Sequence, residues 1–166
     1  MSDTITIRPA GRHEVPLVLD FIRELARYEH LEHEVSASEP ELSEVLFGAR
    51  PYAEVVFACS GDAPVGFALF FHNFSTFKGR PGIYLEDLYV RPQARGRGIG
   101  KRLLAHLART AVARHCARLE WAVLDWNEPS IGFYRSLGAV PMNEWTVYRL
   151  TGDALALLAG SGPAQG

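Results

Sequence analysis

The chain has 166 residues, 48% of them apolar, enough to close one well-buried core and too few for two ordinary domains. A formal net charge of −2, from 17 Lys and Arg against 19 Asp and Glu, argues against a general affinity for nucleic acid. No apolar run approaches the ~20 residues that cross a bilayer, the start Met1-Ser2-Asp3-Thr4 lacks a basic-then-apolar leader pattern, and Cys59 and Cys116 stand apart from any metal-ligand spacing, so a cytoplasmic protein with reduced cysteines is expected.

Thr4 to Arg8 alternates polar and apolar residues, which predicts a first strand with one buried face. Helical spacing follows in Val15, Val18, Leu19, Ile22, Leu25 and Ala26, running to about Tyr28, and then a strongly acidic connection from Glu29 to Glu34. Ser38-Glu39-Pro40-Glu41 reads as a capping box with proline in the first turn, opening a short helix that stops before Gly48. Ala53 to Cys59 and Val65 to Phe74 are β-rich runs around the turn Ser60-Gly61-Asp62-Ala63-Pro64 and predict a hairpin. A strand from Ile83 to Val90 comes after the turn Lys78 to Gly82. The next helix carries Ile99, Leu103, Leu104, Leu107, Ala108 and Ala111 on one stripe, so it packs on a sheet. Leu119 to Leu124 predicts a further strand, and Asn127, with Pro129 behind it, caps a helix that ends at Gly138. Val147 to Leu150 reads as a last strand and 161–166 as a flexible tail. The order βααβββαβαβ implies a single domain over 1–160, of mixed α/β class, with helices on both faces of a mixed sheet.

Between the strand ending at Val90 and the helix beginning near Gly98, glycines stand at positions 96, 98 and 100. Glycine reaches positive φ and lets the backbone approach a ligand, while the first N–H groups of a helix lack intrahelical acceptors and carry the positive end of its dipole. The segment is therefore an anion cradle. It is no P-loop, because Gly100-Lys101 has Arg95 where the first glycine belongs and Arg102 where the magnesium-binding hydroxyl belongs. It is no dinucleotide fingerprint either, because Lys101 replaces the third glycine. What fits is [Gln/Arg]-x-x-Gly-x-[Gly/Ala], read from Gln93 to Gly98 or from Arg95 to Gly100.

That pattern resembles the acetyl-CoA pyrophosphate loop of the GCN5-related N-acetyltransferases. Leu25-Ala26-Arg27-Tyr28-Glu29, Tyr84 to Val90, Arg95 to Gly100 and Trp126 to Tyr134 also resemble, in the same order, the spermidine/spermine and thialysine acetyltransferase group. The resemblance implies a single, mostly antiparallel twisted sheet with a splayed strand pair for acetyl-CoA, no metal, a homodimer, and transfer of acetyl to a small cationic amine in a ternary complex. It implies cofactor contacts from Leu88, Tyr89, Val90, Arg95, Gly96, Arg97, Gly98, Ile99, Gly100, Lys101, Asn127, Pro129, Ser130 and Tyr134. It assigns substrate contacts to Tyr28, Glu29, Glu32, Glu86 and Asp87.

The chemistry sets matching demands. An amine of pKa near ~10.4 must lose a proton before it attacks a thioester, and by resemblance Glu86 is the base that takes it. The departing thiolate leaves more easily if protonated, and Tyr134 matches the family's acid. Backbone N–H groups near Leu88 to Val90 would stabilise the oxyanion. In a regular strand Glu86 and Asp87 face opposite sides, and spacing alone leaves open which lies nearer the substrate. His30-Leu31-Glu32-His33 lacks the H-E-x-x-H spacing of a zinc site. A diamine, a polyamine and a lysine analogue all stay open, as do a peptide acetyltransferase and a non-catalytic acyl-CoA sensor on the same scaffold.

Overall fold

The computed structural model describes residues 4–160, so the expected tail at 161–166 lies outside them. The chain separates into two compact units, divided between Leu124 and Asp125. Among the described residues no helix is long and apolar enough to cross a membrane.

The first unit holds strands β1 (Ile5–Pro9), β2 (Glu54–Ser60), β3 (Ala63–Ser75), β4 (Arg80–Val90) and β5 (Leu119–Trp121), with helices α1 (Val15–Tyr28), α2 (Glu39–Phe47) and α3 (Ile99–Ala113). The strands form one sheet in the order β1-β2-β3-β4-β5, antiparallel throughout except for the parallel pair β4 and β5. This is the mixed, mostly antiparallel sheet expected from the sequence.

Local chemistry marks the start of α2 and the end of α1. Ser38 accepts from the Glu41 backbone N–H while the Glu41 carboxylate accepts from the Ser38 N–H at 2.9 Å, closing the predicted capping box on α2. α1 ends with the Leu31 N–H on the Ala26 carbonyl at 2.8 Å and the His30 N–H on the Arg27 carbonyl at 3.2 Å, with His30 at φ 61° where glycine is usual.

The apolar stripe of α1, Val15, Val18, Leu19, Phe21 and Leu25, joins Leu42 and Leu46 of α2 against Val55, Phe57, Cys59, Phe67 and Tyr89 on one sheet face. Phe21 stacks on Phe67 at 5.1 Å between ring centroids and meets Tyr89 edge-on at 6.4 Å. On the opposite face α3 buries Ile99, Leu103, Leu104, Leu107 and Ala111. Each such side chain contributes about 1.5–3 kcal/mol on leaving water, so the sheet is fixed from both sides.

Two irregularities of β4 position the site. Phe70 pairs with Leu85 but Leu69 pairs with Asp87, which leaves Glu86 as an extra residue, a β-bulge. Cross-strand partners share a face, so Asp87, opposite Leu69, lies with Tyr89 on the α1 side, whereas Leu85, opposite Phe70, lies on the α3 side. The second irregularity is that pairing with β5 covers only Ile83, Leu85 and Tyr84 between them, so β4 continues from Glu86 to Val90 with no strand among the described residues on that edge. The family resemblance assigns a splayed strand pair to this stretch, and there β5 stops at Trp121.

The second unit contains α4 (Glu128–Ser136) and α5 (Gly152–Gly160). Asn127 caps α4, Pro129 lies in its first turn, and Gly138 at φ 85° follows its end, all as expected. The strand expected at Val147 to Leu150 is absent: these residues adopt no regular structure, and Val147 and Tyr148 are 86% and 93% exposed. A strand needs a partner edge to satisfy its backbone, and the run V-Y-R-L has no clean alternation of its own. The sequence reading also missed α5.

Candidate active site

The cradle is built as its glycines require. Gly96 and Gly98 sit at φ 76° and 72°, where L side chains are strained, and no heavy atom lies within 4 Å of where a Cβ would project. Gly98 is the N-cap of α3 and has no side chain to offer as a cap. The first helical backbone bond runs from the Arg102 N–H to the Gly98 carbonyl at 3.1 Å, so the N–H groups of Ile99, Gly100 and Lys101 precede the helix's own bonding. Ile99 is buried and pins the helix start, while Arg95, Arg97 and Lys101 are exposed around it.

The arginines of this region divide by role. Arg91 is committed to the fold: its Nη2 donates to Glu24 at 2.9 Å, its Nε reaches both Glu24 oxygens at 3.2 Å, and its guanidinium lies 4.4 Å above the Phe21 ring. Arg95 donates from Nε to the Val90 carbonyl at 2.9 Å and lies 5.2 Å from the Tyr28 ring and 5.5 Å from the Tyr89 ring. Arg97 donates to the Ser60 hydroxyl at 3.3 Å, and Arg102 to the Ile5 carbonyl at 3.3 Å.

A group of carboxylates lies on the α1 side of β4. Burial, then repulsion from Glu86 and Glu29, pushes the Asp87 carboxyl up to about 7. Glu29, the residue after α1, is also raised, first by burial and then by Glu86. Tyr84 is raised by burial and by the charges of Glu86 and Glu120. Glu86 itself is exposed at the bulge. None of Glu29, Glu86 and Asp87 has an ion-pair partner among the described residues. Glu32 behaves differently: it pairs with Arg27 at 2.8 Å, which holds its carboxyl below the ordinary range. The structure thus draws together Glu29, Glu86 and Asp87, and ties Glu32 to Arg27.

Leu88 and Val90 are half-buried and Tyr89 is buried, on the strand stretch that β5 leaves uncovered. In the second unit the Ser130 N–H donates to the Asn127 side chain at 3.4 Å, and Tyr134 is half-buried with its ring 5.5 Å from that of Phe133. Pro129 is exposed in the first turn of α4. Glu24 and Phe21 were not among the sequence candidates, although the steps of three residues from Phe21 to Glu24 and four from Glu24 to Tyr28 mark one face of α1.

Residues 19–139 match the family described as Acetyltransferase (GNAT) family. The chain belongs to this family. The acetyltransferase is 40% identical to a thialysine N-epsilon-acetyltransferase from Bos taurus, across 94% of this chain and 98% of that relative. It is 33% identical to an L-ornithine N5-acetyltransferase from Arabidopsis thaliana, across 90% and 85%. Among solved structures, an integron cassette protein from the mobile metagenome of V. cholerae superimposes with a TM-score of 0.80 at 33% identity, covering 97% of this acetyltransferase and 99% of that chain. An aminoglycoside acetyltransferase from a soil metagenome, at 17% identity and a TM-score of 0.74, shares the fold. Family and relatives together make this protein an N-acetyltransferase.

Proposed function

We propose that this enzyme transfers acetyl from acetyl-CoA to a primary amine of a small cationic molecule, a diamine, polyamine or lysine analogue such as thialysine, by direct attack in a ternary complex. The observation that carries the amine specificity is the group Glu29, Glu86 and Asp87, three carboxylates without cationic partners among the described residues, two of them raised first by burial and then by the neighbouring carboxylates. An ammonium group relieves that repulsion and is oriented by it. The names of the thialysine and ornithine relatives agree with an ω-amine of an amino acid.

The cradle fits the co-substrate. Gly96 and Gly98 open the backbone, and the N–H groups of Ile99, Gly100 and Lys101 with the side chains of Arg95, Arg97 and Lys101 supply donors for a diphosphate. Leu88, Tyr89 and Val90 offer a strand edge for an extended amide arm, and Asn127, Pro129 and Ser130 complete the contacts. When bound, acetyl-CoA supplies the activated thioester. Glu86 takes the proton from the attacking amine, Tyr134 returns one to the departing sulfur, and Tyr28, Glu29, Asp87 and Glu32 bind the substrate. The reaction uses no metal, and the protein works as a homodimer in the cytoplasm, with no role for nucleic acid or membrane.

The test is thiol release from acetyl-CoA across a panel of diamines, polyamines, lysine analogues and peptides. Turnover highest on a small diamine or lysine analogue is the expected result. Preference for peptides, or tight acetyl-CoA binding with no turnover on any amine, would overturn it.

A further inference from the structure

The Tyr28 ring meets a cofactor-loop side chain, although the sequence reading gave it only to the substrate. Tyr28 is the last residue of α1, and its ring lies 5.2 Å from the Arg95 guanidinium, with the Tyr89 ring at 5.5 Å. We propose that Tyr28 is a positioning residue for the cofactor loop, its ring and that of Tyr89 holding the Arg95 guanidinium in place for a diphosphate. The proposal rests on the reading of residues 95–101 as the acetyl-CoA cradle.

A guanidinium is planar and weakly hydrated, so it packs on aromatic faces without losing its in-plane donors. Arg95 uses one donor, Nε, on the Val90 carbonyl, while its two terminal nitrogens have no partner among the described residues. Arg91 shows the contrast, because Glu24 and the Pro64 carbonyl take up its guanidinium. Phe21, Glu24 and Tyr28 lie on one face of α1, and this ridge serves both arginines: Phe21 and Glu24 fix Arg91, and Tyr28 steadies Arg95. An arginine already ordered by rings forfeits less conformational freedom when an anion arrives, which is how a residue without a charge raises affinity for one.

Calorimetric titration of the full-length protein with coenzyme A tests this on wild type, Tyr28→Leu, Tyr28→Phe, Arg95→Lys and the Tyr28→Leu/Arg95→Lys double variant. Tyr28→Leu should weaken coenzyme A about threefold to tenfold, the scale of one partly exposed cation–π contact and its ordering effect. Tyr28→Phe, which keeps the ring face, should hold wild-type affinity within about twofold. Arg95→Lys keeps the charge without the flat group and should weaken binding even where Tyr28→Leu does not fold, and in its background Tyr28→Leu should add nothing further. Wild-type affinity in Tyr28→Leu or Arg95→Lys, an equal loss in Tyr28→Phe and Tyr28→Leu, or simple addition of the two losses would each overturn the positioning role. Wild-type protein that gives no heat with coenzyme A would instead overturn the reading of the cradle itself.

Discussion

Asp87 ties stability to pH through its surroundings. Its carboxyl is raised from 3.8 to about 7 by burial and by Glu86 and Glu29, so folding favours the protonated form. A raised group lends its stabilisation fully below the unfolded pKa and loses it as pH climbs through the folded one, here between about pH 4 and 7. Asp87→Asn should therefore melt close to wild type at pH 4 and above it at pH 8, by an amount on the order of a few kcal/mol; parallel melting curves at both pH values would refute this. In catalysis, Glu86→Gln and Tyr134→Phe should each lower kcat by roughly 10²- to 10⁴-fold in the thiol-release assay, the usual worth of a positioned base or acid. At this scale the sequence was informative about residue types and silent about their partners. That Glu32 pairs with Arg27, and that Arg91 is absorbed by Glu24, depends on which side chains the fold brings within reach.

Helix boundaries were legible because their causes are local. The Ser38 to Glu41 capping box and the Asn127 cap with Pro129 were readable from four residues each, and both stand where expected. The bulge in β4 was not, since it is defined by the register of β3 and leaves no mark in the run Tyr84 to Val90. Val147 to Leu150 failed in the opposite sense: its composition suits a strand, but propensity without a partner edge forms none. The left-handed positions give direct tests. Gly98→Ala should cost about 1–2 kcal/mol of stability and weaken coenzyme A, whereas His30→Gly, at φ 61°, should gain up to about 1 kcal/mol. Thermal melts of the two variants should move in opposite directions, and a Gly98→Ala protein as stable as wild type would deny any need for glycine there.

For the molecule as a whole, the alternation of strands and helices was enough to forecast a mixed sheet covered on both sides, while its mostly antiparallel pairing was accessible only through resemblance to a family and the strand order through neither. Trp145, Val147, Tyr148, Leu155, Leu157 and Leu158 are exposed on one 18.4 kDa chain, apolar surface that the proposed homodimer would cover. Light scattering should give twice 18.4 kDa, and a mass of 18.4 kDa would count against the proposed homodimer. Glu86 has one more consequence. Dropping a single residue from a central strand ordinarily turns every later side chain inside out. Here the ladder already skips Glu86, and excising it would align Leu85 with Phe70 and Asp87 with Leu69 in unbroken succession. A shortened protein lacking only that glutamate should fold into a more regular sheet and yet be catalytically dead, which would mark the surplus residue as an insertion kept for chemistry at no benefit to the scaffold.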